Sequence, residues 1–235
     1  MRKPFGLKIL DGVTLLAFAV AVALVFFYAP LEAQMGAVQK VFYFHVAAGW
    51  TGMLGFVVAA VTSALYLITR NPRWDGFSVS GVEIGLVFML INIVSGSIWA
   101  YPTWNTWWTW DVRLTTATIM ELIYLAYGLL RQGVDDPERR RRFAAVYALL
   151  GFVSVPITFV SIRLFNSIHP VVIGAGGEMP TMAFTPAMQV AFFGSLIAFS
   201  FIFVDLFWHR LLLANWAERV DALKARFEDV EGGMK

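Results

Sequence analysis

The stretch FSVSGVEIGLVFMLINIVSGSIWA, residues 77–100, decides the fold. It runs for 24 residues with one charged side chain, Glu83. A helix of about 20 apolar residues crosses roughly 30 Å of hydrocarbon, so this segment reads as a membrane span. The pattern repeats on both sides of it. Further apolar stretches lie at 12–29, 41–69, 114–130, 143–162 and 185–208, separated by short polar segments. The second is longer than a bilayer requires and is expected to project beyond the lipid at one end. The first follows Arg2, Lys3 and Lys8, as a signal peptide would. Its long core and the closely following second span identify a retained helix instead.

Composition supports the same class. Of 235 residues, 59% are hydrophobic and 14% charged, where soluble domains carry about 25% charged residues. Lipid must therefore solvate much of the surface. The expectation is an all-α polytopic membrane protein with six transmembrane helices in one bundle. That domain would span residues 1–209, followed by a tail at 210–235. The net charge of +2 is too small to indicate a nucleic-acid partner. There are no cysteines, which excludes disulfides, iron–sulfur ligation, a thiol relay and a Cys-x-x-Cys-His haem attachment site.

Charge distribution sets direction. All Lys and Arg residues except Lys40, Arg113 and Arg163 fall at the N-terminus, around Arg70 and Arg73, between Arg131 and Arg142, or in the tail. By the positive-inside rule these segments are cytoplasmic, as are both termini, and the other three loops face outward. In the tail, Leu212, Trp216, Val220, Leu223 and Phe227 recur at helical spacing among charges. This is an amphipathic helix that either extends the last span or lies on the membrane surface, as an interfacial anchor or a docking element. Gly49, Gly52 and Gly55 on the second span, and Gly81 and Gly85 on the third, point to close helix packing. Pro156 and Pro186 are expected to kink their helices.

The distinctive chemistry lies in the outward loops. Residues 101–115 include Trp104-Asn105-Thr106-Trp107-Trp108-Thr109-Trp110-Asp111-Val112-Arg113-Leu114-Thr115. An aromatic belt at the membrane interface explains one or two tryptophans per helix end, not four beside Asp111 and Arg113. If helical, the segment would place Trp104, Trp107, Trp108 and Asp111 on one face, an apolar shelf for a planar aromatic ligand. Two of the three histidines also fall outward: His45, just inside the second span, and His169, in the last outer loop. Two neutral imidazoles can clamp a haem iron from opposite faces. Arg113 is the best-placed partner for haem propionates, with Lys40 and Arg163 behind it; equally, Arg113 would pair with Asp111. His209 reads as an interfacial residue at the cytoplasmic end.

The segment resembles the W-G-x-W-W-x-W-D-x-R-L-T pattern of the WWD family of haem-handling proteins in cytochrome c maturation, within it the heme exporter protein C branch. Asn105 stands where that pattern has glycine. Phe42-Tyr43-Phe44-His45-Val46-Ala47-Ala48-Gly49-Trp50 is similar to the family's F-Y-x-H-V-P-x-A-W, without the proline, and Ser167-Ile168-His169 to its T-L-H. The resemblance covers nearly the whole chain. It implies a multi-pass protein of the bacterial cytoplasmic (inner) membrane that binds non-covalent haem b on the periplasmic side. His45 and His169 would be the axial ligands, with Trp104, Trp107, Trp108, Trp110, Asp111 and Arg113 as platform and contacts. The implied partners are a membrane-tethered haem chaperone that receives the haem, the subunits of an ATP-binding cassette transporter, and a small single-span subunit.

Other functions find less support in the residues. There is no H-E-x-x-H, G-x-S-x-G or Walker A motif, so no hydrolase or ATPase is expected; Gly174–Gly177 lacks the P-loop lysine. A secondary transporter or channel remains the alternative, but it predicts polar residues near the midplane rather than at one face. Of the span carboxylates Glu83, Glu121 and Asp205, Glu121 lies deepest, to mark a pathway or to hold the bundle together.

Overall fold

The computed structural model describes residues 3–33, 35–165, 167–169 and 184–232. The described residues form helices without strands, the architecture of a polytopic membrane bundle. α1 (Phe5–Ala23) continues through a π turn, Leu24–Tyr28. Then follow α2 (Gln39–Thr69), α3 (Arg73–Trp104), α4 (Val112–Gln132), α5 (Pro137–Phe152), α6 (Ser154–Leu164) and α7 (Pro186–Gly232).

Among the described residues, five segments are long and apolar enough to cross a membrane: Phe5–Tyr28, Gln39–Thr69, Arg73–Trp104, Pro137–Leu164 and Pro186–Lys224. α4 is 21 residues long, about 31 Å at 1.5 Å per residue. Its most apolar membrane-length stretch is more polar than those of the five, because Arg113, Thr115, Thr116, Thr118 and Glu121 occupy its first half.

The helix ends follow local chemistry. Asp111 and Asp136 cap α4 and α5 with side-chain bonds to the Arg113 and Arg139 amides, as N-cap aspartates do. α5 and α6 are one span interrupted at Val153, because Pro156 has no N–H to return to the Phe152 carbonyl. Pro186 does not kink its helix. It occupies the first position of α7, where the missing N–H has no partner to lose. Pro102 lies inside the last turn of α3, where the helix is about to end. The tail continues α7 without interruption as far as Gly232, and Val220, Leu223 and Phe227 are exposed along it.

α2 and α3 form the most extensive helix pair. Their glycines meet face to face: a Cβ on Gly55 would lie 2.5 Å from the Gly81 carbonyl oxygen, and one on Gly81 2.7 Å from that of Gly55. No larger residue fits at this crossing, which is how small residues bring two backbones together. α1 packs on α7, while α4 lies against α5, α6 and α3. The Phe56 and Tyr124 rings stack at 3.6 Å between centroids and join α2 to α4.

The ends that carry Arg70, Arg131 and Arg139 also hold several ion pairs. Arg131 makes two bonds to the buried Asp75 carboxylate, at 2.6 and 2.9 Å. Arg210 of α7 pairs with Glu83 of α3. His209 lies 3.4 Å from Asp11 and 3.2 Å from Asp205, and Lys3 pairs with Asp11. The span carboxylate Glu83 is therefore paired at this end of the bundle, while Asp205 lies beside His209, whose Nδ1 is 2.8 Å from the Asp205 backbone oxygen.

Candidate functional site

At the opposite end, α2, α3, α4, α6 and α7 enclose a cavity of about 280 Å³. Its walls are mostly apolar, from Met53 and Met89 at the base to Ile93, Ile162 and Phe192 at the sides. Six cationic or aromatic-polar groups converge on it: His45, Trp50, Trp108, Arg113, Arg163 and His169. An apolar pocket with a few convergent polar groups is the usual form of a small-molecule site.

His45 comes from the second turn of α2 and faces α3. Its Nδ1 is 2.9 Å from the Asn92 backbone oxygen and 3.2 Å from Ser95 Oγ. His169 arrives from the other side of the cavity, on the segment after α6. Trp104 packs against it, with ring centroids 6.4 Å apart.

The tryptophan-rich segment is not one helix. α3 stops at Trp104 because Asn105 adopts a left-handed conformation, φ 55°. That conformation suits glycine first and asparagine next among the other residues, which accounts for Asn105 at a position where the family pattern has glycine. Residues 105–111 then run without helix until Asp111 caps α4. The expected shelf of Trp104, Trp107, Trp108 and Asp111 is therefore replaced by a fold-back that sends each side chain elsewhere. Trp108 enters the cavity. Trp104 sits edge-on to Trp99, at 5.0 Å, as well as to His169. Trp107 stacks on Tyr101 at 4.4 Å and stays 56% exposed, and Trp110 is 77% exposed. Neither of these two lines the cavity.

Asp111 ties two parts of the site together. Its Oδ1 accepts from the Arg113 amide and from the Ser167 hydroxyl, both at 2.9 Å, and its Oδ2 accepts from the Ile168 amide at 3.1 Å. Ser167 Oγ in turn accepts from the His169 amide at 3.0 Å. The Arg113 guanidinium turns away from this carboxylate. Its Nη1 donates to the Thr158 carbonyl at 2.5 Å, so the side chain spans α4 and α6 along the cavity wall.

Lys40 is not part of the site; its ammonium donates to the Phe26 carbonyl at 2.9 Å and lies over the Phe26 ring. His209 is at the other end of the bundle. Glu121 is buried outside the cavity lining, and its Oε2 has no hydrogen-bond partner among the described residues. Residues 170–183, including the glycine-rich 174–177, lie outside the described residues. Asn92, Ser95, Gly96 and Thr158 belong to the site yet were not singled out by sequence reasoning. The only available signal was Asn92, an amide within a long apolar run.

The family model of heme exporter protein C matches residues 5–226. The chain belongs to this family. It is 35% identical to the heme exporter protein C of Bradyrhizobium diazoefficiens over 76% of this chain and 67% of the relative. It is 34% identical to a putative cytochrome c biosynthesis ccmC-like mitochondrial protein of Marchantia polymorpha, over 69% of this chain and 68% of that one. Heme exporter protein C of Escherichia coli K12 is 30% identical, over 74% and 69%.

Proposed function

We propose that the cavity receives haem b non-covalently at the outer, periplasmic face of the cytoplasmic membrane, and that the chain presents it to a membrane-tethered haem chaperone in cytochrome c maturation. One observation carries the reading. His45 and His169, from opposite halves of the sequence, reach one apolar cavity together with two indoles and two guanidinium groups. Imidazoles suit haem iron, an indole suits the face or edge of the macrocycle, and arginines suit its propionates. Haem is the cargo here, not a resident redox group, so the site must both hold it and give it up.

In this reading the chain's own residues ligate and position the haem. His45 is fixed on a rigid helix pair. His169 sits on a segment held through Ser167 to Asp111, and is the ligand more readily released. An ATP-binding cassette transporter would supply the work of releasing the loaded chaperone, and a small single-span subunit would accompany the complex. The outward direction of the site rests on the positive charge gathered at the other end of the bundle.

The test is the absorption spectrum of the detergent-purified chain supplied with haem, alongside His45→Ala and His169→Ala. A six-coordinate, low-spin spectrum that either substitution disturbs is expected. Absence of haem binding, or two variants with the wild-type spectrum, would overturn the ligand assignment.

A further inference from the structure

The surroundings of His45 determine which of its nitrogens is free. Nδ1 lies 2.9 Å from the Asn92 backbone oxygen, and a carbonyl oxygen can only accept. It also lies 3.2 Å from Ser95 Oγ. The Ser95 hydroxyl proton is directed to the Ile91 carbonyl at 2.6 Å, so towards the ring this oxygen is an acceptor as well. Asn92 Nδ2 is 3.2 Å from Nδ1, but its shorter bond, 2.8 Å, goes to the His45 carbonyl. Reversing the amide would set two carbonyl oxygens against each other, so its orientation is fixed by this bond. Two acceptors facing Nδ1 place the imidazole proton there. The lone pair of the neutral ring is then on Nε2.

Space is arranged to the same end. A Cβ on Gly96 would lie 2.8 Å from His45 Cε1, and one on Gly49 would lie 2.7 Å from Asn92 Nδ2. The two glycines leave room for the ring and for the amide that fastens its backbone.

We infer that Asn92, Ser95, Gly49 and Gly96 are positioning residues for the haem site: they lock His45 in the Nδ1–H tautomer, with Nε2 as its ligating atom. The inference rests on the haem reading above. An Nδ1–H donated to a backbone carbonyl orients a ligating imidazole and raises its basicity. His45 is thereby the fixed ligand, set before cargo arrives, whereas His169 depends on a loop.

The experiment uses the full chain in detergent, loaded with ferric haem, as wild type, Gly96→Ala and Asn92→Leu. Absorption and electron paramagnetic resonance spectra are recorded with and without added imidazole. Wild type is expected to be low-spin and indifferent to imidazole. In Gly96→Ala the ring is displaced, the haem turns high-spin on His169 alone, and millimolar imidazole restores the low-spin spectrum by filling the vacated position. Asn92→Leu removes the amide bond to the His45 carbonyl while keeping the volume, and is expected to give a mixture of spin states that imidazole converts to low-spin. Should Gly96→Ala not fold, Asn92→Leu decides. Variants with the wild-type spectrum and no imidazole response would overturn the lock. Failure of wild type itself to bind haem would instead overturn the function proposed above.

Discussion

The Asp111 carboxylate accepts a hydrogen bond from the Ser167 hydroxyl at 2.9 Å, so the tryptophan-rich segment and the His169 loop are held as one unit. The same carboxylate caps α4. A family motif that reads as an aromatic platform with an acidic end is, in its acidic residue, a fastening between two segments at the same end of the bundle.

Asp111→Ala is therefore expected to act on His169. Loss of the cap costs about 1 kcal/mol of helix stability, and loss of the bonds to Ser167 and Ile168 frees the loop. The haem-loaded variant should show a larger high-spin fraction than Asp111→Asn, which keeps one acceptor oxygen. Equal low-spin spectra for Asp111→Ala and wild type would show that the loop does not depend on this carboxylate.

The four tryptophans should separate by substitution. Trp108 lines the cavity and Trp110 is exposed. Titration of haem into Trp108→Ala is expected to show roughly tenfold weaker binding, about 1.4 kcal/mol. Trp110→Ala should stay within about twofold of wild type on the same scale. The reverse order would move haem contact to the exposed face of the segment.

Arg113 offers a chemical control. If its guanidinium meets a propionate, Arg113→Gln weakens haem binding several-fold but leaves binding of the haem dimethyl ester unchanged, since the ester carries no carboxylates. Equal losses for both ligands would mean that the substitution acts through its bond to the Thr158 carbonyl, as a structural defect between α4 and α6.

At the other end, Asp75 and Arg131 form a mostly buried two-bond ion pair. Removing Arg131 leaves the buried Asp75 carboxylate with only the more distant Arg141, 4.0 Å away; breaking a buried pair from one side costs up to about 3–5 kcal/mol, whereas removing both partners is much milder. Thermal unfolding in detergent should rank Arg131→Met as less stable than the double substitution with Asp75→Leu. A double variant less stable than either single one would contradict this account.

Some features needed no coordinates. The long apolar runs fixed the helical membrane class, because no soluble core of this length hides so much apolar surface. The bias of Lys and Arg fixed which ends belong together. His45, His169, Trp108 and Arg113 stood out as polar or aromatic residues at one face, and the resemblance of residues 104–115 to a family pattern pointed to haem. Tertiary structure decided the rest. It divided the tryptophans between cavity and surface, because the left-handed Asn105 ends α3 and breaks the helical register. It brought Arg163 into the site and left Lys40 outside it. It set Asn92, Ser95 and Gly96 behind His45, a relation across two helices that spacing along one chain cannot express. Periodicity reports which face of a helix is apolar; only packing reports what that face meets.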